Sequence, residues 1–274
     1  MRTCTITVLV ENTAGGRGLL GEHGISFLIE TDSHRVLFDT GQGFVLQHNA
    51  KQLGISLDHL DAVALSHGHY DHTGGLPDLL SHISCPALFV HPGALSPKYS
   101  PRGEIGSPLQ EEHLKQQVGR MVWTEKPTEV VPGVYLTGTI PRNHPLEDTG
   151  GKFWLDRNHD TIDPILDDQA LYVETPVGLV VVLGCAHAGV INTLDHIAQI
   201  TGRQRFYAVI GGMHLLRANV KRLRATADTL EHYKVEQIGA NHCTGVQAIA
   251  FFWQEFSDRC LDCRVGTRLK FGDG

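Results

Sequence analysis

Between residues 4 and 10, Cys-Thr-Ile-Thr-Val-Leu-Val, apolar and polar side chains alternate, the two-residue period of a strand. Strand-like runs recur at 23–27, 36–38, 62–65 and 86–91. Asp32-Ser33-His34 supplies hairpin-turn chemistry between the second and third of these strands. Residues 44–53 and 76–83 carry apolar positions at helical spacing, and Gly54 is a natural stop after the first. Residues 110–118 read as a short helix, and 130–137 as a strand pair broken at Pro132-Gly133. The second half begins with a hairpin, 170–175 and 179–183, across Pro176-Val177-Gly178. Strand and helix then alternate: helix 190–200, strand 207–210, helix 218–233, strand 237–240, helix 246–256. Hairpins followed by such alternation predict an α/β chain with two mixed sheets and helices outside.

Two stretches break the pattern. Residues 92–108 are rich in Pro, Gly and Ser and carry Lys98, Tyr99 and Arg102. Those two cations either face solvent or meet a substrate phosphate or carboxylate. Residues 141–168 hold few apolar side chains but include His144, Phe153, Trp154 and His159. Loops this long in a compact domain tend to be functional or disordered, and the second is expected to act as a lid. Its aromatics either stack on a flat substrate or anchor the loop.

The strand ends carry the chemistry. The run 62–65 delivers Ser66-His67-Gly68-His69-Tyr70-Asp71-His72, with Thr73-Gly74-Gly75-Leu76 behind it. Four ligand-type residues fall within six positions, and imidazole and carboxylate suit Zn²⁺ and related ions. His67 and His69, two apart in extended chain, face one side and can share one ion. Asp71 and His72, where the chain turns, can reach a second. Three later strands end in Gly184-Cys185-Ala186-His187, Gly211-Gly212-Met213-His214 and Asn241-His242-Cys243. Four strand ends can therefore converge on one point. His187 and His242 are expected ligands. Asp39, ending the third strand, is expected to be a structural carboxylate with a contact to the ligands as an addition. Asn12 either lines the site or caps a turn.

Composition narrows the functions. A net charge of −7 argues against a general nucleic-acid binder, which needs a basic surface. No apolar run approaches a membrane span, and residues 1–10 lack the features of a secretion signal, so the expected location is cytoplasmic. The six cysteines, Cys4, Cys85, Cys185, Cys243, Cys260 and Cys263, are scattered and expected to be free thiols. Cys260 and Cys263 form a lone C-x-x-C, read as incidental. The Gly-rich 14–18 lacks dinucleotide-site spacing and is expected to be a rim loop. Nothing indicates an oligomer.

His67-x-His69-x-Asp71-His72 followed by Thr73-Gly74-Gly75-Leu76 resembles the signature of the metallo-β-lactamase superfamily. Phe27-Leu28-Ile29-Glu30 and Arg35-Val36-Leu37-Phe38-Asp39-Thr40-Gly41 resemble its early strands and Asp-Thr-Gly turn. The resemblance implies a four-layer αββα sandwich, one domain over 1–274 and two divalent ions, zinc first, with manganese or iron as alternatives. Within the superfamily the chain resembles the branch of 7,8-dihydropterin-6-methyl-4-(β-D-ribofuranosyl)aminobenzene-5′-phosphate synthase-like proteins. That likeness rests on Glu11-Asn12-Thr13, Gly24-Ile25-Ser26-Phe27-Leu28-Ile29-Glu30, Leu37-Phe38-Asp39-Thr40-Gly41-Gln42, Gly184-Cys185-Ala186-His187, Gly211-Gly212-Met213-His214-Leu215 and His242-Cys243-Thr244-Gly245.

One departure stands out. Most members of the superfamily place a bridging Asp where Cys185 stands, and a further histidine before it. Either His187 replaces a ligand, or Cys185 binds as thiolate, or the second site is weak; the first is favoured. The resemblance makes His214 a proton donor first and a ligand second, and Asp71 a ligand that also orients the nucleophile. The implied function is a metal-dependent hydrolase or transferase. It would direct a metal-activated water at a small phosphorylated or pterin-like molecule. An iron-holding redox protein of the same fold and a non-catalytic metal-dependent sensor are the alternatives. No nucleic-acid or membrane partner is expected.

Overall fold

The computed structural model describes residues 1–84 and 87–272; Cys85 and the strand start expected at Pro86 lie outside them. The chain opens with β1 (Thr3–Val10), β2 (Ser26–Thr31) and β3 (Arg35–Phe38), then α1 (Leu46–Gln52), β4 (Ala62–Ala64), α2 (Tyr70–Thr73), α3 (Leu76–His82) and β5 (Leu88–Val90). A ribbon of β6 (Tyr99–Ser100) and β7 (Gly103–Glu104) precedes α4 (Glu111–Gln117), β8 (Met121–Trp123), β9 (Thr128–Val131) and β10 (Val134–Leu136). The remainder is β11 (Leu171–Thr175), β12 (Gly178–Leu183), α5 (Val190–Thr201), β13 (Phe206–Gly212), α6 (Val220–His232), β14 (Gln237–Asn241), α7 (Val246–Phe256) and β15 (Arg268–Gly272). The first sheet runs β15-β1-β2-β3-β4-β5-β8 and the second β14-β13-β12-β11-β10-β9.

Both sheets are mixed and buried on both faces, as the two-residue period shows. Phe27, Ile29, Val36, Phe38, Ala62 and Ala64 meet Val134, Val173, Val180, Val182 and Ile210 between the sheets. Their neighbours Leu28, Leu37 and Val63 pack outward on Leu46 of α1, Leu79 of α3 and Leu114 of α4. On the other side Val181 and Val209 pack on Leu194 of α5, Leu230 of α6 and Phe252 of α7. The result is a four-layer αββα arrangement.

Three features escape the apolar pattern. β8 and β15 add the edges of the first sheet, and both are short and half exposed. Edge strands bury one side at most, so their alternation is weak. The ribbon β6–β7 has two residues per strand and no apolar period at all. Cys260 and Cys263, free thiols as expected, are buried: Cys260 sits in the outer core under the helices and Cys263 in the core between the sheets. The five described cysteines are free thiols.

β3, β4, β5 and β8 are parallel to one another, as are β12, β13 and β14. Their C-terminal ends bring Asp39, residues 66–72, Cys185, His187, His214 and His242 together.

Candidate metal centre

The loop after β4 is organised by its neighbours. Asp39 directly follows β3 with φ of 60°. Its Oδ1 accepts the Ser66 N–H at 2.7 Å, and its Oδ2 accepts the Ser66 hydroxyl at 2.6 Å. The same Oδ2 lies 2.6 Å from His72 Nδ1, so Asp39 both holds the turn and orients a candidate ligand. Gly68 is required by close approach: a Cβ there would stand 2.1 Å from the Ala94 carbonyl oxygen. His67, His69, Asp71 and His72 are all buried, and His67 Nε2 lies 2.9 Å from His69 Nδ1.

The second sheet supplies the facing side. His187 Nδ1 lies 2.8 Å from the Thr149 carbonyl, which makes Nδ1 the donor and leaves Nε2 buried and unpaired. His242 Nδ1 lies 2.9 Å from Asn12 Oδ1, and its backbone N–H donates to Glu11 Oε1 at 2.8 Å. Asn12 therefore lines the site. His242 Nε2 makes no hydrogen bond among the described residues and stands 3.5 Å from Asp71 Oδ2.

Among the described residues, four sets of ligand atoms lie within 4.8 Å of one another. They are His67, Cys185 and His187; His72, Cys185 and His242; His23, Asp71 and His242; and Cys185, His214 and Cys243. Cys185 belongs to three of them, and its Sγ is 3.2 Å from His72 Nε2. It stands between the two groups of histidines while His187 also faces inward, so both residues of the departure are drawn in. His69 joins by ring contact, 4.9 Å from His187 and 4.5 Å from His67. The His214 ring lies 4.2 Å from His187. Asp39, Ala186, His214 and His242 all hold positive φ, so backbone strain gathers here. Sequence reasoning missed His23 and Cys243. No local pattern marks His23, while Cys243 follows a candidate ligand directly.

Burial drives His67 and His187 well below the ordinary histidine range and His69 down to about 3, which keeps them as neutral imidazoles, the form that can bind a metal. Burial also opposes charge on His72, yet Asp39 and Asp71 push it up to about 9. Burial would raise Asp71, but His72 and His242 hold it well below the carboxylate range. Carboxylates that stay ionised and stabilise positive charge on the His72 ring would stabilise a metal cation for the same reason. Buried unpaired nitrogens on His69, His187, His214 and His242, with nitrogen, carboxylate and thiol donors around them, fit a divalent metal ion.

The two long loops are tied over this centre. Lys98 is neither solvent-facing nor directed at a substrate: it is 1% exposed, with Nζ 3.0 Å from Asp163 and 2.8 Å from Asp167. Asp167 also accepts the Gly68 N–H at 2.8 Å. Arg102 is exposed. Tyr99 and Trp154 exchange backbone hydrogen bonds of 2.7 and 2.9 Å. Glu147 accepts the N–H groups of Ile191 and Asn192 at the start of α5. Gly150, at φ of 77°, lies on the His214 ring, where a Cβ would approach Cδ2 to 1.7 Å. Trp154 stacks on His159 within the loop, whereas Phe153 faces His69 and His187 at 5.3 and 5.4 Å. Among the described residues no helix is long and apolar enough to cross a membrane.

A family model of the metallo-beta-lactamase superfamily matches residues 21–191. The 7,8-dihydropterin-6-methyl-4-(beta-D-ribofuranosyl)-aminobenzene-5′-phosphate synthase of Methanocaldococcus jannaschii is 32% identical over 283 residues, covering 97% of this chain and 96% of that protein. A solved structure described as a metal-dependent hydrolase of the beta-lactamase superfamily is 33% identical, with a TM-score of 0.86 over 98% of this chain and all of that one. A diphosphatase of the PhnP family, 14% identical with a TM-score of 0.55 over 98% of this chain and 97% of its own, shares the fold.

Proposed function

The chain belongs to the metallo-beta-lactamase superfamily, and from that premise we propose a metal-dependent hydrolase or transferase acting on a small phosphorylated, pterin-like molecule. The observation that carries this reading is the ring of buried, unpaired imidazole nitrogens around Cys185, completed by the Asp71 carboxylate. His67, His69, His187 and Cys185 would hold one divalent ion. Asp71, His72, His242 and Cys185 would hold a second, zinc being the first candidate for both. Ions bound there would supply Lewis acidity and an activated water near neutral pH.

The chain's own residues do the rest. Asp71 orients the nucleophile. His214, beside His187, gives its proton to the leaving group. The Thr149 carbonyl and Asn12 keep His187 and His242 turned inward. Residues 141–168 shield the centre from water, and Phe153 offers an aromatic face beside it. The name of the Methanocaldococcus relative describes a phosphorylated compound joined to a dihydropterin, and its flat ring suits such a face. Elemental analysis of purified protein, together with turnover of an aryl phosphodiester, tests the reading. About two ions per chain are expected, with metal and activity lost together in His67→Ala. His214→Ala is expected to lose turnover and keep its metal. Full metal in His67→Ala would overturn the assignment of the ligands.

A further inference from the structure

Cys243 has no part in the chemistry above. Its sulfur lies within 4.8 Å of the ligand atoms of Cys185 and His214. It approaches the Cys185 carbonyl oxygen to 3.5 Å and receives the His214 backbone N–H at 3.3 Å. The space that the sulfur fills exists because residue 212 is glycine: a Cβ there would stand 2.7 Å from Cys243 Sγ. His214 Nδ1 is buried and has no hydrogen-bond partner among the described residues. This set contains two thiols, one imidazole and no carboxylate, unlike the set at Asp71. Thiolates with imidazole select soft or borderline cations, and two cysteines with one histidine are a known donor set for zinc.

We propose that Cys185, Cys243 and His214 form a further, sulfur-rich metal site that takes one thiophilic cation of the zinc, cadmium or copper(I) kind. Binding takes both sulfurs as thiolates; in the zinc-loaded protein Cys185 is already one, so the Cys243 proton is the one released to solvent. It also commits His214 as a ligand and withdraws it from proton transfer. An excess of thiophilic metal would therefore inhibit the protein at its own centre. The proposal rests on the functional reading above only in that Cys185 and His214 are shared with it.

The test is cadmium titration of zinc-loaded protein, read by sulfur-to-cadmium charge-transfer absorption. Wild type is expected to gain this absorption with one added equivalent, and Cys243→Ser is expected to lose the gain. Equal absorption in Cys243→Ser and wild type would overturn the site. Should that variant fail to fold, X-ray absorption at the cadmium edge of the wild type decides. Two sulfurs around one ion support the proposal; one or none sinks it. Failure of the functional reading has a separate signature, namely full zinc content in His67→Ala, and it does not depend on the cadmium result.

Discussion

The two sides of the candidate centre are built differently. On the first sheet, His67, His69, Asp71 and His72 lie in one loop, and the carboxylate that orients His72 is 33 residues away on the adjacent parallel strand. On the second sheet, each candidate ligand histidine comes from a different strand end and is oriented by a distant partner. Thr149 is 38 residues from His187, and Asn12 is 230 residues from His242. The first side is therefore a local motif with a short support. The second exists only when the 141–168 loop is in place and the two sheets have met.

The buried Lys98 is where these two modes join, since it ties the 92–108 loop to 141–168 and, through Asp167, to Gly68. Lys98→Met strips Asp163 and Asp167 of their counter-charge and is expected to cost about 3–5 kcal/mol of stability in denaturant unfolding. An unchanged midpoint would mean that the loops are held by their other contacts. The pH dependence has a definite sign. Burial would raise Asp167, but Lys98 holds it below the ordinary carboxylate range. Its contribution is thus present above the unfolded value of about 3.9 and lost as pH falls through the lower folded value. Burial would lower Lys98, but its two carboxylates raise it, so its contribution fades only as pH rises beyond about 10.4. The gap between wild type and variant should be flat across neutral pH.

Asp39→Asn and Asn12→Ala compare the two sides directly. Each removes the group that orients one histidine, so each is expected to weaken metal binding by about 10–100-fold, measured by competition with a chelator. Asp39 is fully buried and also holds Ser66, which places its variant at the upper end of that range. If Asn12→Ala is the more damaging, the distant support matters more than the local one.

The smallest effect is expected at Glu147, which docks the loop on α5. Burial pushes its carboxyl up to about 7, above the unfolded value of about 4.3. The folded chain therefore binds this proton more tightly, and stability falls as pH rises between those two values. Glu147→Gln should remove that slope from the thermal midpoint. A slope unchanged in the variant would assign it to another group.

Much of this molecule can be read along the chain. The αββα layers follow from strands with apolar residues on both faces and from the strand–helix alternation. The loop after β4 is legible because its ligand-type residues are neighbours, so chain geometry alone gathers them. His187, His214 and His242 are legible as strand-end histidines, because hydrophobic period locates the strand ends. What the residue order leaves open is pairing. Lys98 reads as a loop cation, yet it is the buried tie of two loops. Cys243 reads as one of the scattered free thiols, and Cys185 and His187 compete on paper for one role. The tertiary structure brings both residues to the centre and chooses which nitrogen of each histidine stays unpaired. Those outcomes depend on a carbonyl at Thr149 and a carboxamide at Asn12, and a hydrogen bond across such distances leaves no periodic trace in either partner's neighbourhood.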